Sequence, residues 1–294
     1  VQLWLNSTAL VALDNQTKFV YTLDISNVQD DKVQVQLETE GLDKNEITFH
    51  LPKVIPGTYR IADYGRFVSD FKAFDKKNKQ LKVERLDSNS WKINKAKKLT
   101  KITYWVDDTY DTDRTDNIIL PMSGTNIEAG KNVVINTPGY FGYFEGLLKN
   151  EFEVNVIRPI DFYGSTGLIK TKSFKPDNLK SNGDNLVVAG EEVMVDTYNI
   201  SDYHLLIDSP MMYNVPDTTV IKIGNTEVLI SAYAPNGMIT SKFIAKNVKQ
   251  ILMAQKEYLG GELPVEKYAF IYYFEDYSKV LPVNGALEHS YSSY

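Results

Sequence analysis

The sequence predicts a mainly β protein, with an N-terminal antiparallel β-sandwich or curved double sheet over residues 1–210 and an incomplete α+β unit over 211–294. Two observations carry this. Up to about residue 200, apolar residues alternate with polar ones in short runs bounded by turn residues, the pattern of strands with one buried and one wet face. Beyond that point a single helical period, over residues 238–259, stands between apolar strands.

In chain order, Val33, Val35 and Leu37 alternate with Gln34, Gln36 and Glu38, and Ile47, Phe49 and Leu51 with Thr48 and His50. Ile102, Tyr104 and Val106 repeat the pattern, as do Phe152, Val154 and Val156. Turn residues fall at 27–32, 41–45, 75–78, 87–90, 138–139 and 181–184. Many short strands at this spacing build sandwiches. Tyr203 to Ile207 reads as one more strand. Val220 to Ile223 and Val228 to Tyr233 flank a Gly224-Asn225 turn. Ile239, Phe243, Ile244, Val248, Ile251, Leu252, Tyr258 and Leu259 then recur at helical spacing until Gly260-Gly261 stops the helix. The nearly continuous apolar run from Tyr268 to Phe274 predicts a strand covered on both faces.

Composition narrows the function. With 294 residues, 43% of them hydrophobic and 24% charged, the chain has room for one large or two ordinary globular domains. A net charge of −6 argues against nucleic acid as partner, because phosphate binding needs concentrated positive charge. The lysine-rich stretches 76–82 and 92–101 read as solvated hairpin ends. The absence of cysteine excludes disulfides, thiolate catalysis and thiolate metal sites. No apolar run approaches the ~18 residues of a membrane span. The chain enters directly into strand-like sequence without a signal-peptide pattern, which predicts a matured bacterial periplasmic or secreted protein rather than a cytoplasmic one.

Histidine is scarce: His50, His204 and His289 are the full set. His204 and Asp208 are four apart, which on a strand separates them by about 13 Å, too far for shared ligation. A zinc site inside this chain is therefore not expected, and no G-x-S-x-G nucleophile elbow occurs. The acidic run Asp107, Asp108, Asp111, Asp113 and Asp116 lacks the glycine and final glutamate of an EF-hand loop and reads as a solvated loop. Pro56-Gly57 fits a type II turn. The residues after it, Tyr59, Arg60, Asp63, Tyr64 and Arg66, form either a turn with an internal Arg–Asp pair or a loop facing a cleft, with Tyr59, Arg60 and Arg66 as its candidates. Residues 138–144, rich in glycine and aromatics, read as a packed corner, or else a stacking platform. Gly285-Ala286-Leu287-Glu288-His289 follows a helix, a Gly-Gly stop and an aromatic strand. There a carboxylate on Glu288 can hold an amine through a charge-assisted hydrogen bond. Small residues beside it leave a strand edge open to an extended peptide.

Three separated stretches carry a resemblance: residues 55–66, residues 198–210 ending in Asp208-Ser209-Pro210, and residues 285–289. In order and spacing they are similar to the glycyl-aminopeptidase family of zinc metallopeptidases, with its P-G-S-Y, D-S-P and G-G-L-E-H segments. Departures fall at Val54-Ile55 in place of a tryptophan lead-in, at Ala62 in place of arginine, and at Ala286 in place of the second glycine. They leave the preferred N-terminal residue open.

The resemblance implies an N-terminal β domain, a thermolysin-like catalytic domain and often a PDZ domain. It implies zinc in the full-length enzyme, held by an H-E-x-x-H helix beyond Tyr294, so this chain would hold no catalytic or metal residue and be inactive alone. It assigns substrate binding to Glu288, Gly285, Ala286 and His289. The implied partners are a peptide with a free N-terminus and the remainder of the catalytic domain. Two other readings compete: a non-enzymatic β-sandwich that binds glycans or peptides through Trp91, Trp105 or residues 140–144, and a degenerate family member kept as a scaffold.

Overall fold

A computed structural model describes residues 17–55, 57–110, 118–176, 192–275 and 285–294. Pro56, most of the acidic run (111–117) and the turn at 181–184 lie outside the described residues.

The alternating runs are strands: β1 (Phe19–Gln29), β2 (Lys32–Glu38) and β3 (Glu46–His50). After the Pro-Gly loop come β4 (Val68–Asp75), β5 (Val83–Arg85), β6 (Ser90–Asn94) and β7 (Leu99–Asp107). The hairpin of β8 (Asn126–Glu128) and β9 (Asn132–Ile135) leads through one helical turn, α1 (Thr137–Tyr140), into β10 (Tyr143–Phe144). Then follow β11 (Phe152–Pro159), β12 (Tyr163–Thr166), β13 (Lys170–Phe174) and β14 (Val193–Ile200). A short helix α2 (Tyr203–Ile207) precedes β15 (Met211–Asn214). The last part is β16 (Thr218–Ile223), β17 (Thr226–Tyr233), α3 (Ser241–Tyr258), β18 (Lys267–Tyr273) and β19 (Ser292–Ser293).

The fold is mainly β, and the described strands form four sheets. A seven-stranded sheet in the order β13-β14-β11-β1-β2-β7-β4 packs on a four-stranded sheet, β10-β3-β6-β5. Period two explains the core between them: Tyr21 and Leu23, Val33 and Val35, and Ile102 and Tyr104 turn inward against Phe49, Trp91 and Ile93. The tight aromatic packing includes Phe71 stacked on Trp91, with ring centroids 4.8 Å apart. A third sheet, β12-β15-β9-β8, faces a fourth, β16-β17-β18-β19. Their shared core joins Val134 and Met212 to Leu229, Ala269 and Ile271. On the far side of the fourth sheet, α3 packs Ala245 and Leu252 onto Val228 and Ile230. β18 is thus covered on both faces, as its apolar run predicts. β15 pairs with β9 and β12, and the fourth sheet begins at β16.

Three sequence expectations are corrected. Tyr203 to Ile207 is a helix, because Asp202 caps it: its Oδ1 accepts the Leu205 N–H at 3.0 Å. The long helix starts at Ser241 rather than 238, because Thr240 Oγ1 accepts the Phe243 N–H at 3.2 Å and leaves Ile239 outside. Its end is as expected, with Gly260 and Gly261 at φ +94° and +102°. Finally, Lys101 is buried, not solvated; its ammonium lies 4.9 Å from the Phe74 ring centroid.

Candidate substrate site

The three motif segments meet at one edge of the fourth sheet. The Pro-Gly turn closes with Thr58 donating its N–H to Ile55 O (3.3 Å) and its hydroxyl to the same oxygen (2.8 Å). Gly57 takes φ +89°, as the third position of a type II turn requires, and a Cβ there would lie 3.1 Å from Leu287 Cδ1. Ile55, Ala62, Tyr64, Phe67 and Ile119 surround Leu287 in a small apolar cluster. The first motif is therefore the socket into which the third motif plugs its leucine.

Beyond the turn, Tyr59 is 97% exposed and left-handed at φ 53°. A non-glycine residue in that region stores about 1–3 kcal/mol of strain. Arg60 is also exposed. Arg66 turns back on the loop: its Nε donates to Ala62 O at 3.0 Å and its guanidinium lies over the Phe67 ring. Asp63 accepts from the Asn89 amide at 2.8 Å, and Asn89 Oδ1 accepts the Gly65 N–H.

Residues 287–294 form a tight hairpin. Leu287 and Tyr294 exchange both backbone hydrogen bonds, at 2.7 and 3.0 Å, and the His289 N–H reaches Ser292 O at 2.8 Å. Its inner arm, β19, pairs parallel with β18. Its outer arm lies beyond β19 and is joined to it by the Glu288–Ser293 bridge, at the edge of the fourth sheet among the described residues. Because Leu287 and Tyr294 are a hydrogen-bonded pair, the next pair, Glu288 and Ser293, is a non-hydrogen-bonded one, and the Glu288 N–H and C=O point outward from the sheet. Alternation sends Leu287 and His289 to the inner face, while Glu288 shares the face of Ser293 and Phe270. Gly285, Ala286 and Glu288 are exposed. Glu288 carries no ion pair or side-chain hydrogen bond among the described residues.

The second motif holds the hairpin from beneath. Asp208, at the C-terminal end of α2, accepts from His289 Nδ1 at 2.9 Å through Oδ1 and from the Ser290 N–H at 2.9 Å through Oδ2. Burial would raise the Asp208 carboxyl, but the hydrogen bonds from His289 and Ser290 outweigh it and hold the pKa down to about 2. A depressed carboxylate contributes stability above its unfolded pKa, ~3.9, and loses it as pH falls through the folded value. Stability is thus expected to fall between pH 4 and 2, and to fall less steeply in Asp208→Asn; chemical denaturation at a series of pH values measures both.

No group of three or more His, Asp or Glu able to hold a metal occurs among the described residues. His204 is exposed on α2 and Asp208 is committed to His289, so their spacing makes no metal pair. The pairing of Asp208 with His289 was beyond sequence reasoning, although both lie in segments the motifs single out. The contacts of Met122 with Gly285 and of Gly167 with Tyr291 left no signal in the sequence.

With this geometry in place, comparison identifies the class as a peptidase: residues 20–214 match the Peptidase M61 N-terminal domain. The chain belongs to the M61 peptidase family. An aminopeptidase N family protein from Idiomarina loihiensis shares the fold at TM-score 0.73 and 18% identity, over 94% of this chain and 41% of its own. An M1 zinc metallopeptidase from Deinococcus radiodurans aligns at TM-score 0.48 and 12% identity, over 95% of this chain and 60% of its own. The chain therefore spans less than two thirds of either protein. No curated protein sequence matches it.

Proposed function

We propose that this chain supplies the substrate-binding edge of a zinc-dependent aminopeptidase that removes N-terminal residues from peptides. One observation carries the reading: Glu288 stands exposed on an edge segment whose outward N–H and C=O have no partner among the described residues, while its neighbours are held by two other motifs. An extended peptide adds to that edge as a further strand. The Glu288 carboxylate receives the peptide's terminal ammonium, which sets where the chain must begin. Tyr59 and Arg60 are exposed on the loop that seats Leu287, and in this reading they are further candidates for contact with the substrate. The described residues do not fit a zinc site, and this reading assigns the metal and the group that activates water to residues outside them. Ala286 in place of a second glycine is consistent with a preference not confined to glycine.

Of the aromatics on which the glycan-binding alternative rests, Trp105 and Tyr143 are half-exposed and the rest are buried. Trp91 is 3% exposed, and Tyr140 and Phe141 are fully buried, their segment serving as a packed corner.

The test is kinetic, on the complete enzyme. Glu288→Ala is expected to raise KM for free-amine peptides about 10- to 100-fold, the worth of a hydrogen bond to a charged group. Amine-blocked peptides should be little affected. An equal response of the two substrate classes would remove the anchor role, and peptide binding without hydrolysis would identify a scaffold.

A further inference from the structure

We propose that Asp208 is a positioning residue that sets the place of Glu288 by gripping His289 and Ser290. The inference rests on the reading of Glu288 as the amine anchor.

An exposed carboxylate with no side-chain partner of its own is placed by the backbone that carries it. Here that backbone is held on both sides. On the N-terminal side, Leu287 is 5% exposed and seated against the Pro-Gly turn. On the C-terminal side, the His289 side chain is 3% exposed and meets Asp208. The two oxygens of Asp208 act on consecutive residues, one on an imidazole and one on a backbone N–H. Together they fix the register and the roll of the strand just after Glu288.

The mount of Asp208 is stiff. Its own N–H donates to His204 O at 3.1 Å, closing α2. That helix is capped by Asp202 and rooted in the core by Leu206 and by Tyr203, whose hydroxyl donates to Phe141 O at 2.8 Å. The rigid sandwich is thereby linked to the substrate edge through one carboxylate.

The chemistry of the pair also favours orientation over a wider network. An ionised carboxylate only accepts, so His289 Nδ1 carries the hydrogen. Its Nε2 is buried with no partner among the described residues. The imidazole's one such bond is the one that holds it to Asp208. This is the logic of outer partners that orient a working group without touching substrate.

The experiment compares Asp208→Asn, Asp208→Glu and Glu288→Ala, singly and combined, in the complete enzyme. An asparagine keeps one acceptor for the Ser290 N–H and turns an NH2 toward His289 Nδ1, which can accept it only by moving its hydrogen to the buried Nε2, where no partner stands among the described residues, so the grip on the imidazole is weakened. Asp208→Asn is expected to raise KM for free-amine peptides about tenfold with kcat within about twofold, and Asp208→Glu to recover part of the loss. In the Glu288→Ala background, Asp208→Asn should change KM by less than about twofold, because both act through one contact. Full multiplication of the two effects would overturn the proposal. Amide exchange across residues 287–294 gives a second readout. It is expected to quicken in Asp208→Asn while the sandwich strands are unchanged, and unchanged exchange would also overturn the proposal. Quickened exchange together with Glu288→Ala kinetics that do not discriminate amine from blocked amine would keep Asp208 as the strand's holder and refute the anchor reading instead.

Discussion

Asp196→Ala is expected to destabilise the protein by about 3–5 kcal/mol, read as a lowered urea midpoint. Asp196 is fully buried on β14 and is shared by two cations. Arg158 Nε lies 2.8 Å from Oδ2, Lys170 Nζ lies 2.9 Å from the same oxygen, and Ser173 donates to Oδ1 at 2.6 Å. Burial would raise this carboxyl, but Arg158, Ser173 and Lys170 outweigh it and hold it below the usual range. The alanine variant leaves the Arg158 guanidinium buried without its counter-ion. Backbone oxygens of Pro159, Ile160 and Phe162 already take its other donors and cannot replace a charge. The three strands that carry the triad, β11, β13 and β14, form one side of the largest sheet, so the loss is global. An unchanged midpoint would mean that water reaches Arg158 freely and that the triad contributes little.

The strands that the sequence makes legible are those whose signal is local. In β2 and β7, alternation and flanking turns specify the strand without reference to its partners. Pairing is another matter. β1 runs parallel to β11, with Phe19 opposite Phe152. Nothing within either strand encodes that register, because each presents the same inward row of aromatics and aliphatics to any neighbour. The error at Tyr203 to Ile207 has a different origin. Five residues are too few for periodicity to separate helix from strand, and the deciding feature is the cap at Asp202, which lies just outside the run.

The candidate site shows the same division. Glu288 is singled out as a candidate by its motif alone. What places it is not legible there, because Asp208 and His289 are 81 residues apart and Gly57 meets Leu287 only once the sheets are assembled.

Gly167→Ala should have a large effect on activity for a reason that involves no substrate contact. Gly167 lies between β12 and β13, and a Cβ there would stand 2.3 Å from Tyr291 O and 2.9 Å from its carbonyl carbon. That oxygen accepts the Ala269 N–H at 3.0 Å, a bond that ties the hairpin to β18. Beside it, Lys267 donates to Leu168 O at 2.8 Å, which resists retreat of the glycine's own loop. The methyl group is then expected to push Tyr291 outward. Overpacking of this kind costs about 1–3 kcal/mol. The larger consequence is geometric, since Tyr291 and Glu288 belong to the same tight hairpin and an ångström of displacement can cost about 100-fold in rate. In the complete enzyme, kcat/KM for free-amine peptides is expected to fall about 10- to 100-fold, with a modest drop in Tm. A variant with wild-type kcat/KM and an unchanged Tm would show that the hairpin yields without moving Glu288. A fall shared equally by free-amine and amine-blocked peptides would instead assign the damage to the sheet rather than to the anchor.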